Sequence, residues 1–93
     1  MEQKFIQVWA KNRAAAAQLG VRMRPVADEE ALKTARRCLS GHRESDGFQQ
    51  LADLKHLELS LEALAVSKRF TELFSDEEAN TALSRLLEAG YYL

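Results

Sequence analysis

The chain has 93 residues, 46% hydrophobic and 29% charged, with a formal net charge of −1; these proportions suit one globular domain over residues 1–93 and exclude wholesale disorder or a second core. Its single cysteine, Cys38, allows no internal disulfide, and one thiol with two separated histidines makes no metal-ligand spacing, so a reducing compartment is expected. No apolar run is long enough to span a bilayer, and Met1-Glu2-Gln3-Lys4 lacks the basic start and apolar centre of a secretion signal, which predicts a cytoplasmic protein with no membrane contact.

Phe5, Trp9, Ala16 and Leu19 fall at helical spacing, with Ile6, Ala10 and Ala17 beside them, and predict a first helix from about residue 3 to Leu19. Residues 4–9 are rich in strand formers, but alanines 14–17 extend the helical period with the strongest helix former. Val21 to Val26 reads as a connector, because Pro25 disfavours helical geometry at Arg24 and suits a first helical position. Asp28, Glu29 and Glu30 then supply first-turn acids to a second helix. Its apolar stripe is Ala31, Leu32, Ala35, Cys38 and Leu39, and Gly41 closes it.

A polar loop follows over residues 40–47, where Asp46 and Gln49 have the spacing of a helix cap. From Phe48 to Phe74 neither proline nor glycine interrupts the chain. Leu51, Leu54, Leu57, Leu61 and Leu64 form one stripe and Leu59, Ala63, Val66, Phe70 and Leu73 a second, which predicts a long central helix. Unbroken, it would run about 40 Å at ~1.5 Å per residue and overhang a small domain. It therefore breaks near Ser67-Lys68-Arg69 or is covered by a second copy. Ser75-Asp76-Glu77-Glu78 is a capping box, with Phe74 and Ala79 spaced as a hydrophobic staple. The last helix carries Ala79, Ala82, Leu83, Leu86 and Leu87 to Gly90, and the apolar tail Tyr91-Tyr92-Leu93 is expected to dock on the domain or a partner. The expected fold is all-α, a small bundle of about four helices with one long central helix.

Chemistry-bearing patterns are sparse. The chain has no phosphate-cradling glycine loop, nucleophile elbow, His-Glu-x-x-His or Cys-x-x-Cys, so neither an enzyme nor a cofactor or small-molecule substrate is expected. Cys38 lies on an apolar stripe and reads as a small buried hydrophobe. His42, Glu44 and Asp46 read as a solvated loop rather than a metal site, and His56 has no second histidine at helical spacing. The acids at 28–30 and 76–78 are explained by the helix dipole.

Charge is unevenly distributed. Residues 1–43 hold nine Lys/Arg against four acids, whereas residues 44–93 hold four against ten, balances of +5 and −6. Complementary halves pack on each other within a monomer or across a dimer, and a basic half also suits nucleic acid. The run Ala15-Ala16-Ala17-Gln18-Leu19-Gly20-Val21, with Val26, resembles the turn of a helix-turn-helix DNA reader, in which a small alanine sits at the helix crossing and glycine makes the turn. The resemblance implies contacts to nucleic acid through Arg22, Arg24 and Lys33, with Arg36 and Arg37 in the same basic half. Two departures stand against it: Pro25 falls early in the recognition helix, and the acids at 28–30 lie on its exposed side and repel phosphate. The leading expectation is instead a non-enzymatic protein-interaction module, an adaptor, chaperone-like or inhibitory regulator, with a protein partner that includes a second copy of itself. Leu57, Leu61, Leu64, Phe70, Tyr91 and Tyr92 are its expected interface.

Overall fold

Helix α1 spans Glu2–Gln18 in the computed structural model, which describes residues 1–41 and 43–91. One face buries Phe5, Ile6, Trp9 and Ala16. The helix closes through Gly20, whose φ of 88° is the left-handed conformation a Cβ disfavours. The Val21 N–H then donates to the Ala16 carbonyl at 2.9 Å and the Gly20 N–H to Ala17 at 3.0 Å, so orphan carbonyls are satisfied. Val21 folds back into the same buried cluster as Ala16.

Residues 21–27 carry no regular structure, a 3₁₀ turn covers Asp28–Glu30, and α2 runs Ala31–Ser40 with Ala31, Ala35 and Leu39 buried. Helix α3 covers Phe48–Leu54, α4 Leu61–Ala65 and α5 Asp76–Glu88, with 3₁₀ turns at Leu57–Leu59 and Thr71–Leu73. Every helix and 3₁₀ turn among the described residues thus belongs to an all-α bundle, but of five helices rather than about four.

The long central helix is the expectation the structure corrects. Residues 48–74 form two short helices and two 3₁₀ turns. The first break is at Lys55, which takes the left-handed conformation (φ 63°) while the His56 N–H donates to the Leu51 carbonyl at 2.8 Å. The second is at Ser60, whose hydroxyl donates to the Leu57 carbonyl at 2.7 Å and accepts the Ala63 N–H at 3.1 Å, capping α4. A further break follows Ala65 at residues 66–70, the region where the sequence suggests one. The folded segment fits a body of 29 × 25 × 22 Å with a radius of gyration of 12.0 Å. The longest helix is now α1, about 26 Å at ~1.5 Å per residue. Among the described residues no helix overhangs, so a second copy is not needed to cover one.

Two adjoining clusters make the core. In the first, Phe5 meets Phe70 and Phe74 edge-on at centroid distances of 5.6 and 5.5 Å and Trp9 at 5.6 Å. Around them lie Ala31, Ala35, Leu39, Leu61, Leu64, Ala65 and Ala82. The second holds Ala16, Val21, Phe48, Leu51, Leu57 and Leu86, and Val66 touches both. Beside them sits a buried polar knot. Glu62 accepts from Arg85 Nη1 at 3.0 Å, from the Ser45 N–H at 3.0 Å and from the Ser45 hydroxyl at 2.6 Å. Arg85 Nη2 donates to the carbonyls of Gly41 at 3.1 Å and Cys38 at 3.3 Å. The knot ties Gly41, Ser45 and the end of α2 to α4 and α5.

Candidate interaction surfaces

Most of the expected interface lies inside the protein. Leu57, Leu61, Leu64 and Phe70 are buried in the chain's own core, because the breaks at Lys55 and Ser60 turn successive parts of the leucine stripe inward. Tyr91 is partly buried against the second cluster, and Tyr92 lies outside the described residues.

Leucines read from the sequence as core point outward instead. On α5, Leu83 is 38% and Leu87 55% exposed, whereas Ala82 and Leu86 are fully covered. Ala82, Leu83, Leu86 and Leu87 spread over about 140° of the helix circumference, wider than the side that reaches the core, and that width is the signal the sequence offers. Asp76, Asn80, Leu83 and Leu87 share one exposed stripe within about 60° of the helix circumference.

The five basic residues offered for nucleic acid separate into two groups. Arg22 and Arg24 line an open groove of about 740 Å³ between α1 and the connector, together with Arg13. Its floor is the exposed row Ala10, Ala14 and Ala17. Arg24 sits 3.6 Å from Asp46 and its N–H donates to the same carboxylate at 3.1 Å. Asp46 is thereby engaged with the connector, and α3 begins after Gly47 with no side-chain cap. Arg22 has no ion pair among the described residues. Arg13 stacks over Trp9, with its guanidinium carbon 4.8 Å from the ring centroid. Its Nε is buried without a hydrogen-bond partner among the described residues. Burial lowers the Arg13 pKa, and the field of Asp28 offsets part of that.

Lys33, Arg36 and Arg37 lie on α2 and line a separate depression shared with Glu2, Glu29 and Glu78. There Arg36 Nε donates to Glu78 at 3.1 Å, so the cations face acids of the same chain. The connection between α1 and α2, residues 19–30, is also much longer than the turn of about 3–4 residues in a helix-turn-helix. The geometric basis for that resemblance is therefore absent.

Cys38 is half-buried, and desolvation, then the Glu62 carboxylate, push its pKa up against the opposing pull of Arg85, which disfavours the reactive thiolate. His56 Nδ1 lies 3.1 Å from Glu58 at the surface. His42 lies outside the described residues. Among the described residues no cluster of His, Cys, Asp and Glu is placed to hold a metal ion, and no helix is long and apolar enough to cross a membrane. Comparison of the chain with protein-family models, curated proteins and solved structures finds no match.

Proposed function

We propose that the protein is a non-enzymatic protein-interaction module that works in the cytoplasm by presenting a helical face, as an adaptor, chaperone-like factor or inhibitory regulator. The observation that carries this is the pair Leu83 and Leu87, one turn apart and left in water on α5. Full burial of a leucine is worth roughly 1.5–3 kcal/mol relative to exposure, so a partner that covers both recovers a substantial part of that free energy. A reducing compartment suits the lone Cys38 thiol. The test is co-purification with the full chain, comparing the wild type with L83Q/L87Q at matched circular dichroism. Proteins retained by the wild type and lost with the variant are expected; identical sets from both would refute the reading.

The specific observation favouring nucleic acid as a second reading is the meeting of Arg13, Arg22 and Arg24 at one groove. A polyanion there binds through phosphates, and its affinity falls steeply with salt. A mobility-shift assay with random duplex at low salt decides it: no shift ends this reading.

A further inference from the structure

We infer that the α1 groove receives α5 of a second copy of this chain, packed antiparallel to α1. The inference rests on the interaction-module reading and names both surfaces and the partner.

The two surfaces share a spacing. Ala10, Ala14 and Ala17 are separated by four and three residues, and so, in reverse order, are Leu87, Leu83 and Asn80. All six are exposed. Both rows therefore rise by about 6 Å and then about 4.5 Å along their helices. Laid antiparallel, Leu87 meets Ala10, Leu83 meets Ala14 and Asn80 meets Ala17, large side chains set against small ones. Alanine on one side lets the axes approach closely, and rows of the same period interdigitate.

Charge complements this contact. Past Ala17 the groove continues between the connector residues Arg22 and Arg24. In the antiparallel register Asp76, on the α5 stripe and one turn before Asn80, arrives at that end. At the other end Glu88 follows Leu87 on one flank, and Lys11 follows Ala10 on the matching flank of α1. Neither Lys11 nor Glu88 has an ion pair among the described residues, and both are exposed. The α5 N-terminus also comes to lie beside the α1 C-terminus, so the helix dipoles are opposed. A parallel arrangement would bring Glu88 to the arginines instead but align the two dipoles, so the dipoles are what favour the antiparallel one.

Sedimentation velocity on the full chain tests this. The wild type is expected to show a mass above that of the monomer, rising with concentration. L83Q/L87Q raises the dissociation constant by about tenfold or more, and K11E and E88K each by roughly 3- to 10-fold. An equimolar mixture of K11E and E88K regains the wild-type affinity, because the exchanged charges complement each other across the contact; a residue acting only on its own fold gains nothing from mixing. All four substituted positions are exposed, and unchanged circular dichroism and melting certify each fold.

A wild type that stays monomeric up to roughly 1 mM overturns the inference. So does association that ignores all these substitutions. In the second case self-association stands and the α1–α5 contact falls; if a different protein is captured in a Leu83- and Leu87-dependent way by a monomeric chain, the interaction-module reading survives and self-association falls. A monomeric chain whose captured proteins do not depend on those leucines removes both.

Discussion

Replacing Arg85 with methionine removes the positive centre of the buried knot while keeping much of its volume. The side chains of Glu62 and Arg85 are 0% and 9% exposed, so solvent screening is slight and Glu62 is left as a nearly uncompensated charge. The substitution also deletes the Arg85 bonds to Glu62, Gly41 and Cys38. Breaking one partner of a buried pair costs about 3–5 kcal/mol. A domain of this size is stable by about 5–14 kcal/mol. With a urea m-value near 1 kcal/mol/M, R85M moves the unfolding midpoint down by about 3 M or more. The double variant E62M/R85M is expected to lose less than R85M alone, because no charge remains buried, and R85K to fall between R85M and the wild type, because an ammonium cannot serve the carboxylate and two carbonyls from one plane. An R85M shift below about 1 M with unchanged m, or a double variant no better than R85M, would refute the account of a desolvated pair.

Gly47 has φ 77°, and a Cβ built there lies 2.5 Å from Val21 Cγ1, whereas at Gly20 (φ 88°) nothing lies within 4 Å. In urea unfolding G20A is expected to cost about 1–2 kcal/mol for backbone strain alone and G47A about 1–3 kcal/mol more; equal losses would contradict the packing of Met23 and Val21 over Gly47. Lys55 holds a left-handed φ of 63° without a glycine's freedom, so K55G should raise stability by about 0.5–1 kcal/mol, seen as a higher melting temperature with the same helix content. Burial works against ionisation of Glu78, but the Ser75 N–H and Arg36 outweigh it and hold its pKa below the ordinary value. A depressed folded-state pKa gives stability that is present above the unfolded pKa and lost as pH falls through the folded one. Wild-type stability should therefore drop across the acid carboxylate range more steeply than that of E78Q; parallel acid profiles would show that Glu78 contributes none of the slope.

Parts of this fold are legible wherever a local chemical rule decides the conformation. The Ser75 box forms as spelled, with the Ser75 hydroxyl accepting the Glu78 N–H at 3.1 Å and the Glu78 carboxylate accepting the Ser75 N–H at 2.7 Å. Gly20 closes α1 for the same local reason. The break at Lys55 has no such mark, since lysine enters the left-handed region only at a cost of about 1–2 kcal/mol. Tertiary packing supplies the compensation: the turn lets Leu51 and Leu57 enter the second cluster while Leu61 and Leu64 enter the first. Ser60 likewise lies inside the stretch without proline or glycine and becomes a cap only once the chain has turned. Leucine periodicity shows that these residues are buried, but not against what, and the same ambiguity sent the expected interface into the core.

The charge asymmetry divides in a way sequence position alone cannot disclose. Part of it is consumed within the chain, where Arg36 meets Glu78 at 3.1 Å and Arg24 meets Asp46 at 3.6 Å across the two halves. The closest pair, Arg85 with Glu62, lies wholly inside the acidic half and does not reduce the difference between the halves. Among the charges left outside, Lys11 and Arg22 lie beside the alanine row of α1 and Asp76, Glu77 and Glu88 around the exposed leucines of α5. An ion pair closed within the fold fixes the fold; an unpaired surplus displayed beside an apolar row adds complementarity to whatever covers that row. The leucines supply attraction, the charges at either end strengthen it, and the opposed helix dipoles favour the antiparallel register over the reverse.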